Sequence, residues 1–499
     1  MDTNHGSASI SRNVVYGFTT WLLPIILGFI ATPVIVRSLG NHEYGIYALV
    51  LGFIAYSFNF NLGRAITKYV AEYRASGDTH KIRDIISATL VANIALGLLS
   101  LLIIVILSES LVTQVFQLAG PDVETTVTAL RISALVVFVL IVTQVFNAIL
   151  QGLHRFDVFS KLQNANSILL LIGNLFLAIN GFGLLALLYW SLAASAVACV
   201  FAFFATRRLL PEFQISLRFS SGALTRVLRY SAGVAGYQLI GNALLLFERG
   251  WITSKLGTES LTYYVVPMLL ALNIHSLVGS LTLVIFPLAS QMENERAKLY
   301  ALYKRSTRVV GALVAFMAIT MIVVSEILLT LWIGPDFGSN SAELLVLHTL
   351  TFSFAAVFII SFQVAEGLGF PGFNFAATLL SFMICIPAMV LLSPDFGNLG
   401  VAAGRLLGFF AMFLSTFYLQ KWAFGTMEPR FWIELIASLL IAGGAAAAAE
   451  YFTVYALPIS WISLTLAIAI GFATYIALLF LIGFFTPEDR VLFLRAFRR

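Results

Sequence analysis

The chain has 499 residues, of which 60% are hydrophobic and only 11% charged. Soluble domains run at about 45–50% apolar and about 25% charged, so a stack of soluble globular domains is excluded. The net charge of +5 comes from short basic clusters between apolar runs, without aromatic interleaving, which argues against a nucleic-acid partner.

A membrane-crossing helix needs about 20 apolar residues. Runs of that kind occur at 14–36, 44–63, 85–107, 127–150, 164–180, 184–205, 230–254, 261–287, 309–331, 344–365, 375–392, 401–419, 432–452 and 462–485. The reading is an all-α polytopic membrane protein of about fourteen transmembrane helices. Residues 1–13 are polar, and the run from Val14 to Val36 is too long for the apolar core of a signal peptide. It reads as an uncleaved first span. The shortest run, 164–180, holds Asn164, Asn166 and Asn174. Pro24, Gly28, Pro33 and Pro267 lie inside runs, where neighbouring groups in a bundle satisfy the freed backbone. Cys199 and Cys385 also lie inside runs and read as small hydrophobes, with no disulfide or metal role.

With the N-terminus inside, every Lys and Arg falls in a cytoplasmic segment except Arg37, Arg131, Arg249, Lys255 and Arg405. The outside loops carry Glu109, Asp122 and Glu124 instead. The positive-inside rule then places both termini in the cytoplasm.

Four glycine landmarks recur in order about 215 residues apart. Leu39-Gly40 returns as Leu256-Gly257, Gly120-Pro121-Asp122 as Gly334-Pro335-Asp336, Gly152-Leu153 as Gly367-Leu368, and Gly183 as Gly400. The repeat spans six helices, an even number, so the halves share an orientation. The expected organisation is an N-terminal lobe at 1–205, a basic cytoplasmic linker at 206–229 and a C-terminal lobe at 230–420. The last two helices fill 421–485, and a basic cytoplasmic tail runs over 486–499. The two pseudo-symmetric six-helix lobes should face a central cavity.

The run Arg37-Ser38-Leu39-Gly40-Asn41-His42-Glu43-Tyr44-Gly45-Ile46-Tyr47 resembles the first outside loop of the polysaccharide flippases. So do Asn61-Leu62-Gly63-Arg64-Ala65 with Lys68-Tyr69-Val70-Ala71-Glu72, and Trp332-Ile333-Gly334-Pro335-Asp336-Phe337. These are the lipid-linked oligosaccharide exporters of the multidrug/oligosaccharidyl-lipid/polysaccharide flippase superfamily, and the resemblance covers residues 10–420. It implies a multi-pass protein of a bacterial inner (plasma) membrane. Such a protein would flip an undecaprenyl-diphosphate-linked oligosaccharide from the cytoplasmic to the outer leaflet by alternating access. It implies membrane lipids as surroundings, a polysaccharide polymerase and other export proteins as partners, and no cofactor.

A flippase cavity needs cations for the diphosphate, and amides and aromatics for the sugars. Ionisable groups inside spans are costly and so are candidates by default. Arg64 lies about 20 residues beyond Tyr44, about 30 Å along a helix, near Lys68 at the inner mouth of the second span. The pair either attracts the diphosphate or anchors the helix by the positive-inside rule. Glu248 and Arg249 are adjacent, about 100° apart, so one can face the cavity while the other snorkels. Arg249 is a phosphate candidate and Glu248 an ion-coupling candidate. Asn273 and His275 lie near mid-depth of the eighth span and map close to Asn59 in the second. This suggests a polar belt, with His275 also suited to proton coupling.

Gln144, Asn147 and Gln151 form one stripe on the fourth span at i, i+3, i+7. The corresponding place in the tenth span has Gln363 and Glu366, the latter an ion-coupling candidate. Gln238 and Asn242 stand at i, i+4 on the seventh. Interhelical hydrogen bonding explains such amides as well as sugar contact does. Glu326, Glu434 and Glu450 read as solvated anchors at span ends, and Arg131 and Arg405 as snorkelling cations.

No Gly-Lys dipeptide occurs, so the chain has no phosphate-cradling loop of the G-x-x-x-x-G-K-[ST] type. No His/Cys cluster has metal spacing. The expectation is a secondary transporter, not an enzyme. A glycosyltransferase or polymerase would place acidic pairs or a large domain outside, whereas 37–43 holds only Glu43. Two alternatives remain within the superfamily. A cation-coupled multidrug antiporter would place a carboxylate in the first span, and 14–36 has none. A lipid II (murein precursor) flippase would place arginines deep in that span, which here has only Arg12 and Arg37 at its ends.

Overall fold

The computed structural model describes residues 3–57, 63–210 and 221–485. Asn59, the middle of the basic linker and the tail at 486–499 lie outside the described residues, as does the side chain of Arg64. All regular structure among the described residues is helical. In chain order the helices are α1 (Thr3–Tyr56), α2 (Gly63–Ala75), α3 (Thr79–Ser110), α4 (Pro121–Gly152), α5 (Phe156–Ile179), α6 (Gly183–Leu209) and α7 (Ser221–Leu256). There follow α8 (Thr258–Leu281), α9 (Ile285–Gln291), α10 (Arg296–Val323), α11 (Ser325–Trp332), α12 (Pro335–Gly367), α13 (Pro371–Phe424), α14 (Pro429–Ala456) and α15 (Trp461–Leu481). A π-helical turn, Leu111–Val115, ends α3.

Eleven helical segments among the described residues are long and apolar enough to cross a membrane. Their outward faces are lined by large apolar side chains such as Leu391, Phe452, Ile462 and Leu481, each more than 70% exposed. Water would penalise that surface and hydrocarbon does not. The chain is a multi-pass membrane protein.

Glycine and proline mark the joints. α4 and α12 begin alike, with a positive-φ glycine (Gly120, Gly334) followed by proline in the first turn. There the missing N–H costs nothing and the fixed φ suits a helix start. They also end alike, at Leu153 and Leu368 with φ of −80° and −81°. α1 and α13 are each two helices joined at a non-helical glycine, Gly40 (φ 73°) and Gly397 (φ 55°). The pairing of Gly183 with Gly400 is corrected here. Gly183 has φ +73°, whereas Gly400 is a helical residue pressed against the Leu392 carbonyl, and the positive-φ glycine of this stretch is Gly397. A glycine kept for close packing and one kept for a turn look the same in a sequence.

The chain forms two compact units, residues 1–262 and 263–499. In the first, α4 is the central helix, packed on α1, α2, α3 and α6. Its core gathers Ile66 and Val70 of α2, Ile85 of α3, and Val145 and Ile149 of α4. In the second, α12 packs on α9, α10, α11 and α13, while α14 pairs with α15 and rests on α10. Small residues let these helices approach, as membrane interfaces require: Ala442 and Ala446 are fully buried. Polar side chains close the seams, with Trp432 donating to Gln420 at 3.1 Å and Tyr475 to the Ala312 carbonyl at 2.9 Å.

Candidate functional site

The 37–47 motif builds the first joint. Gly40 turns the chain, and His42 then bridges two other helix starts. Its Nε2 lies 2.9 Å from Asp122 in the first turn of α4, and its Nδ1 2.8 Å from the Thr258 hydroxyl at the start of α8. Thr262 adds a hydrogen bond to the Asn41 carbonyl at 2.6 Å. Gly45 is needed for the approach, because a Cβ there would lie 1.9 Å from the Thr258 carbonyl oxygen. This clamp fixes α1 beyond Gly40 against the end of α7.

That contact creates the most unusual environment in the first unit. Arg249 of α7 is only 4% exposed and Glu248 only 1%. The expectation that one of them snorkels is therefore wrong: α7 is enclosed on both faces at this level. Arg249 crosses α1 at Gly52, where an ideal Cβ would sit 2.4 Å from its Cδ. Its guanidinium lies 5.0 Å over the ring of Tyr56, and Nη1 donates to the Leu245 carbonyl at 3.2 Å. Among the described residues no carboxylate lies within ion-pair distance of it, and Nε is buried without a hydrogen-bond partner. Burying an ion costs several kcal/mol. A cation–π contact returns about 0.5–2 kcal/mol and one charged hydrogen bond about 1.5–3 kcal/mol. Arg249 thus retains electrostatic demand that an anion would meet.

The amides extend this site. Gln238, Asn242 and Arg249 are spaced 4 and 7 residues apart, so all three fall within about 40° on one face of α7, over about 16 Å. The Gln238 carbonyl oxygen is buried with no hydrogen-bond partner among the described residues. On α4, Gln144, Asn147 and Gln151 are the part-exposed positions in an otherwise buried stretch. They flank the close contact with α2, where Thr67 donates to the Ala148 carbonyl at 3.2 Å and Gly63 abuts Gln144. Lys68, one residue beyond Thr67, is exposed with its ammonium 5.3 Å from the Tyr69 ring. The backbone of Arg64 lies in the first turn of α2. The first unit therefore carries Arg249 with two amides on α7, and Lys68 with three amides at α2–α4.

The second unit repeats the theme with a residue that sequence reasoning set aside. Arg405 of α13 is 2% exposed and does not snorkel. Its guanidinium lies 4.9 Å from the ring of Phe352 and 5.3 Å from that of Phe409, with Nη1 3.1 Å from the Met268 sulfur. His275 and His348 are both within electrostatic reach of it, and the His348 ring stands edge-on to Tyr264 at 4.5 Å. Asn273 and His275 are half-buried on α8, and Glu366 is half-buried near the end of α12. The available signal for Arg405 was its company: Phe409 four residues on in the same span, with His348 and Phe352 in α12.

Glu450 also departs from expectation. It is fully buried in α14, accepting from the Thr320 hydroxyl of α10 at 2.7 Å, with Gly471 of α15 leaving room for the carboxyl. The anchor reading fails because α15 folds back over that face of α14. Glu326 and Glu434 are exposed as expected, and Arg131 is exposed with Nε 3.3 Å from the Ser108 hydroxyl. Outside the spans, the Lys81 ammonium and backbone N–H hold the Asp78 carboxyl below its ordinary value. The Asp157 carboxylate raises Arg155 above its own. No cluster of three or more His, Cys, Asp or Glu with metal-binding geometry occurs among the described residues.

Residues 34–342 match the family described as polysaccharide biosynthesis protein. A Shigella flexneri protein named as a candidate O-antigen transporter is 20% identical over 374 residues, covering 72% of this chain and 85% of that protein. An uncharacterized Bacillus subtilis membrane protein, EpsK, is 25% identical over 358 residues, covering 67% of each. Among solved structures, the lipid II flippase MurJ in an inward closed conformation superposes with a TM-score of 0.74 at 14% identity, covering 97% of this chain and all of that one. A MATE-family multidrug transporter in an inward-facing conformation gives 0.66 at 15% identity, covering 81% of this chain and 94% of that one. At such identities the structural matches speak for the fold.

Proposed function

Because more than half of the chain matches its model, the protein belongs to the polysaccharide biosynthesis protein family, the polysaccharide flippases of the multidrug/oligosaccharidyl-lipid/polysaccharide superfamily, and from that premise we propose that it flips an undecaprenyl-diphosphate-linked oligosaccharide from the cytoplasmic to the outer leaflet. One observation carries the reading: Arg249 is buried on α7 with no carboxylate at ion-pair distance among the described residues and in line with Gln238 and Asn242. A guanidinium fork suits diphosphate oxygens, and amides and Tyr56 suit sugar hydroxyls and rings. Lys68 and Arg64, with Gln144, Asn147 and Gln151, form a first station for the head group, and Asn273 and His275 supply polar groups in the second unit. Glu248, Glu366 and His275 are the groups through which an ion gradient would act.

The transport cycle is alternating access by two six-helix lobes, 1–205 and 230–420, without a catalytic step. Counting α1 and α13 as two spans each, and adding α7 to the other candidates, gives fourteen spans. The positive-inside bias puts both termini in the cytoplasm of a bacterial inner membrane. A polymerase and other export proteins would take over the flipped unit.

In a deletion strain, Arg64→Ala and Arg249→Ala should each lower glycan export while the protein still accumulates in the membrane. Normal export by the double variant would overturn the cationic route. Lipid II transport is the second reading, since the fold is shared with a lipid II flippase and the first span alone argues against it. Rescue of a lipid II flippase depletion, without rescue of glycan export, would decide for it.

A further inference from the structure

A separate cationic cleft lies in the first half of α10, apart from the proposed head-group route. Lys304, Arg305 and Arg308 precede the apolar stretch that begins at Val309. Lys304 and Arg308 are one turn apart and so share a face. That face lines a cleft of about 830 Å³ whose other wall is the first turns of α14, from Met427 to Phe431 with Glu434. Four cations line it, Lys304, Arg305, Arg308 and Arg430, against two carboxylates, Glu428 and Glu434.

The pairing is uneven. Lys304 Nζ is 3.1 Å from Glu428, and Arg430 Nε is 2.7 Å from the exposed Glu434. Arg308 is held in another way. Its guanidinium lies 6.0 Å from the Phe431 ring and 5.9 Å from that of Phe484, and no carboxylate among the described residues is within ion-pair distance. Two rings within cation–π reach restrain the side chain, so less freedom is lost when its planar fork meets an anion. α14 adds the positive end of its dipole. Pro429 has no N–H, the Phe431 N–H is bonded to the Glu428 carbonyl at 3.1 Å, and Glu428 makes no side-chain cap, which leaves the Arg430 N–H for an acceptor at the cleft. The walls include Leu302, Met427 and Phe431, apolar surface at the level where the span begins. Positive charge above apolar walls at a membrane border matches a phosphate with acyl chains attached.

We propose that this cleft binds the phosphate of an anionic membrane phospholipid, with Arg308 as the principal phosphate contact and Lys304 in support, and that the bound lipid fastens α14 to α10. The full-length protein in neutral detergent is titrated with phosphatidylglycerol and, separately, with phosphatidylcholine. Lipid retention is read by native mass spectrometry and stability by melting temperature. Phosphatidylglycerol should be retained and raise the melting temperature, and phosphatidylcholine should do neither. Arg308→Gln should weaken phosphatidylglycerol binding about tenfold, equivalent to about 1.4 kcal/mol. Lys304→Gln should weaken it less. If Arg308→Gln does not fold, Arg308→Lys keeps the charge, loses the fork and ring stacking, and should still bind more weakly. Equal retention of the two phospholipids, or unchanged affinity in the Arg308 and Lys304 variants, would overturn the proposal. Displacement of phosphatidylglycerol by undecaprenyl diphosphate at a hundredfold lower concentration would assign the cleft to a transported lipid and so overturn the phospholipid assignment as well.

Discussion

The crossing of Arg249 over Gly52 can be tested by adding one methyl group. In Gly52→Ala the new Cβ would lie 2.4 Å from Arg249 Cδ and 2.6 Å from Nε, more than 1 Å inside the optimum of about 3.5–4.0 Å for carbon contacts. The arginine has little room to retreat, since its guanidinium is held over Tyr56 and bonded to the Leu245 carbonyl. Overpacking of this kind costs about 1–3 kcal/mol, and displacing the guanidinium forfeits a further 0.5–2 kcal/mol or so of cation–π attraction. In an Arg249→Ala background the obstructing atoms are gone. There the same substitution should be neutral or stabilising by up to about 1 kcal/mol, the helix preference of Ala over Gly. The double-mutant cycle should therefore return a coupling of about 1.5–6 kcal/mol, measured by reversible denaturant unfolding in detergent micelles. Gly52→Ala alone should also reduce export, because it shifts the guanidinium. Equal destabilisation in both backgrounds, or none in either, would refute the packing described here and with it the position of the guanidinium.

Gly173→Ala should be among the most damaging single changes in the first unit. Its Cβ would fall 1.9 Å from two atoms of the Trp190 indole and would break the 3.1 Å bond from Trp190 to the Leu169 carbonyl; about 2–4 kcal/mol is expected, and a smaller side chain at 190 should restore most of the melting temperature. Glu450→Gln keeps an acceptor for Thr320 and should stay within about 1 kcal/mol of the parent, whereas Glu450→Ala opens a cavity and removes that acceptor, for about 2 kcal/mol or more; comparable loss in both would show that the charge itself holds α14. Asp78 caps α3, accepting from the Lys81 backbone at 3.1 Å, and its folded-state pKa lies below the usual 3.8. A depressed carboxylate contributes stability above its unfolded pKa and loses it as pH falls through the folded value. The melting temperature should therefore decline in acid below about pH 4, and the decline should be shallower in Asp78→Asn, which keeps a cap without a titrating charge; identical profiles would dismiss the linkage.

Much of this protein is written along the chain. Apolar run length alone specifies the membrane class, because hydrocarbon demands internally bonded backbone over a fixed thickness. The Gly-Pro-Asp pair marks two helix starts, because proline's fixed φ and missing N–H suit the first turn of a helix. The helix ends at Leu153 and Leu368 are likewise local. The amide stripes on α4 and α7 follow from helical period.

What the sequence left open is which face each helix turns inward. Arg405 and Glu450 stand close enough to span ends to reach water, and distance along a helix is all that a run of letters measures. Phe352 and Phe409 on one side, and Thr320 with Gly471 on the other, decide that they do not. Glu248 and Arg249 are about 100° apart on any helix, yet both are buried because α7 is packed all round at that level. That Gly183 turns the chain while Gly400 packs inside a helix is visible only in the backbone angles. Helix, span and repeat are properties of local chemistry, whereas burial of a charge is set by residues tens or hundreds of positions away. For that reason the sequence alone determined that this is a membrane-embedded flippase fold, and only the packed helices decided which arginines its interior holds.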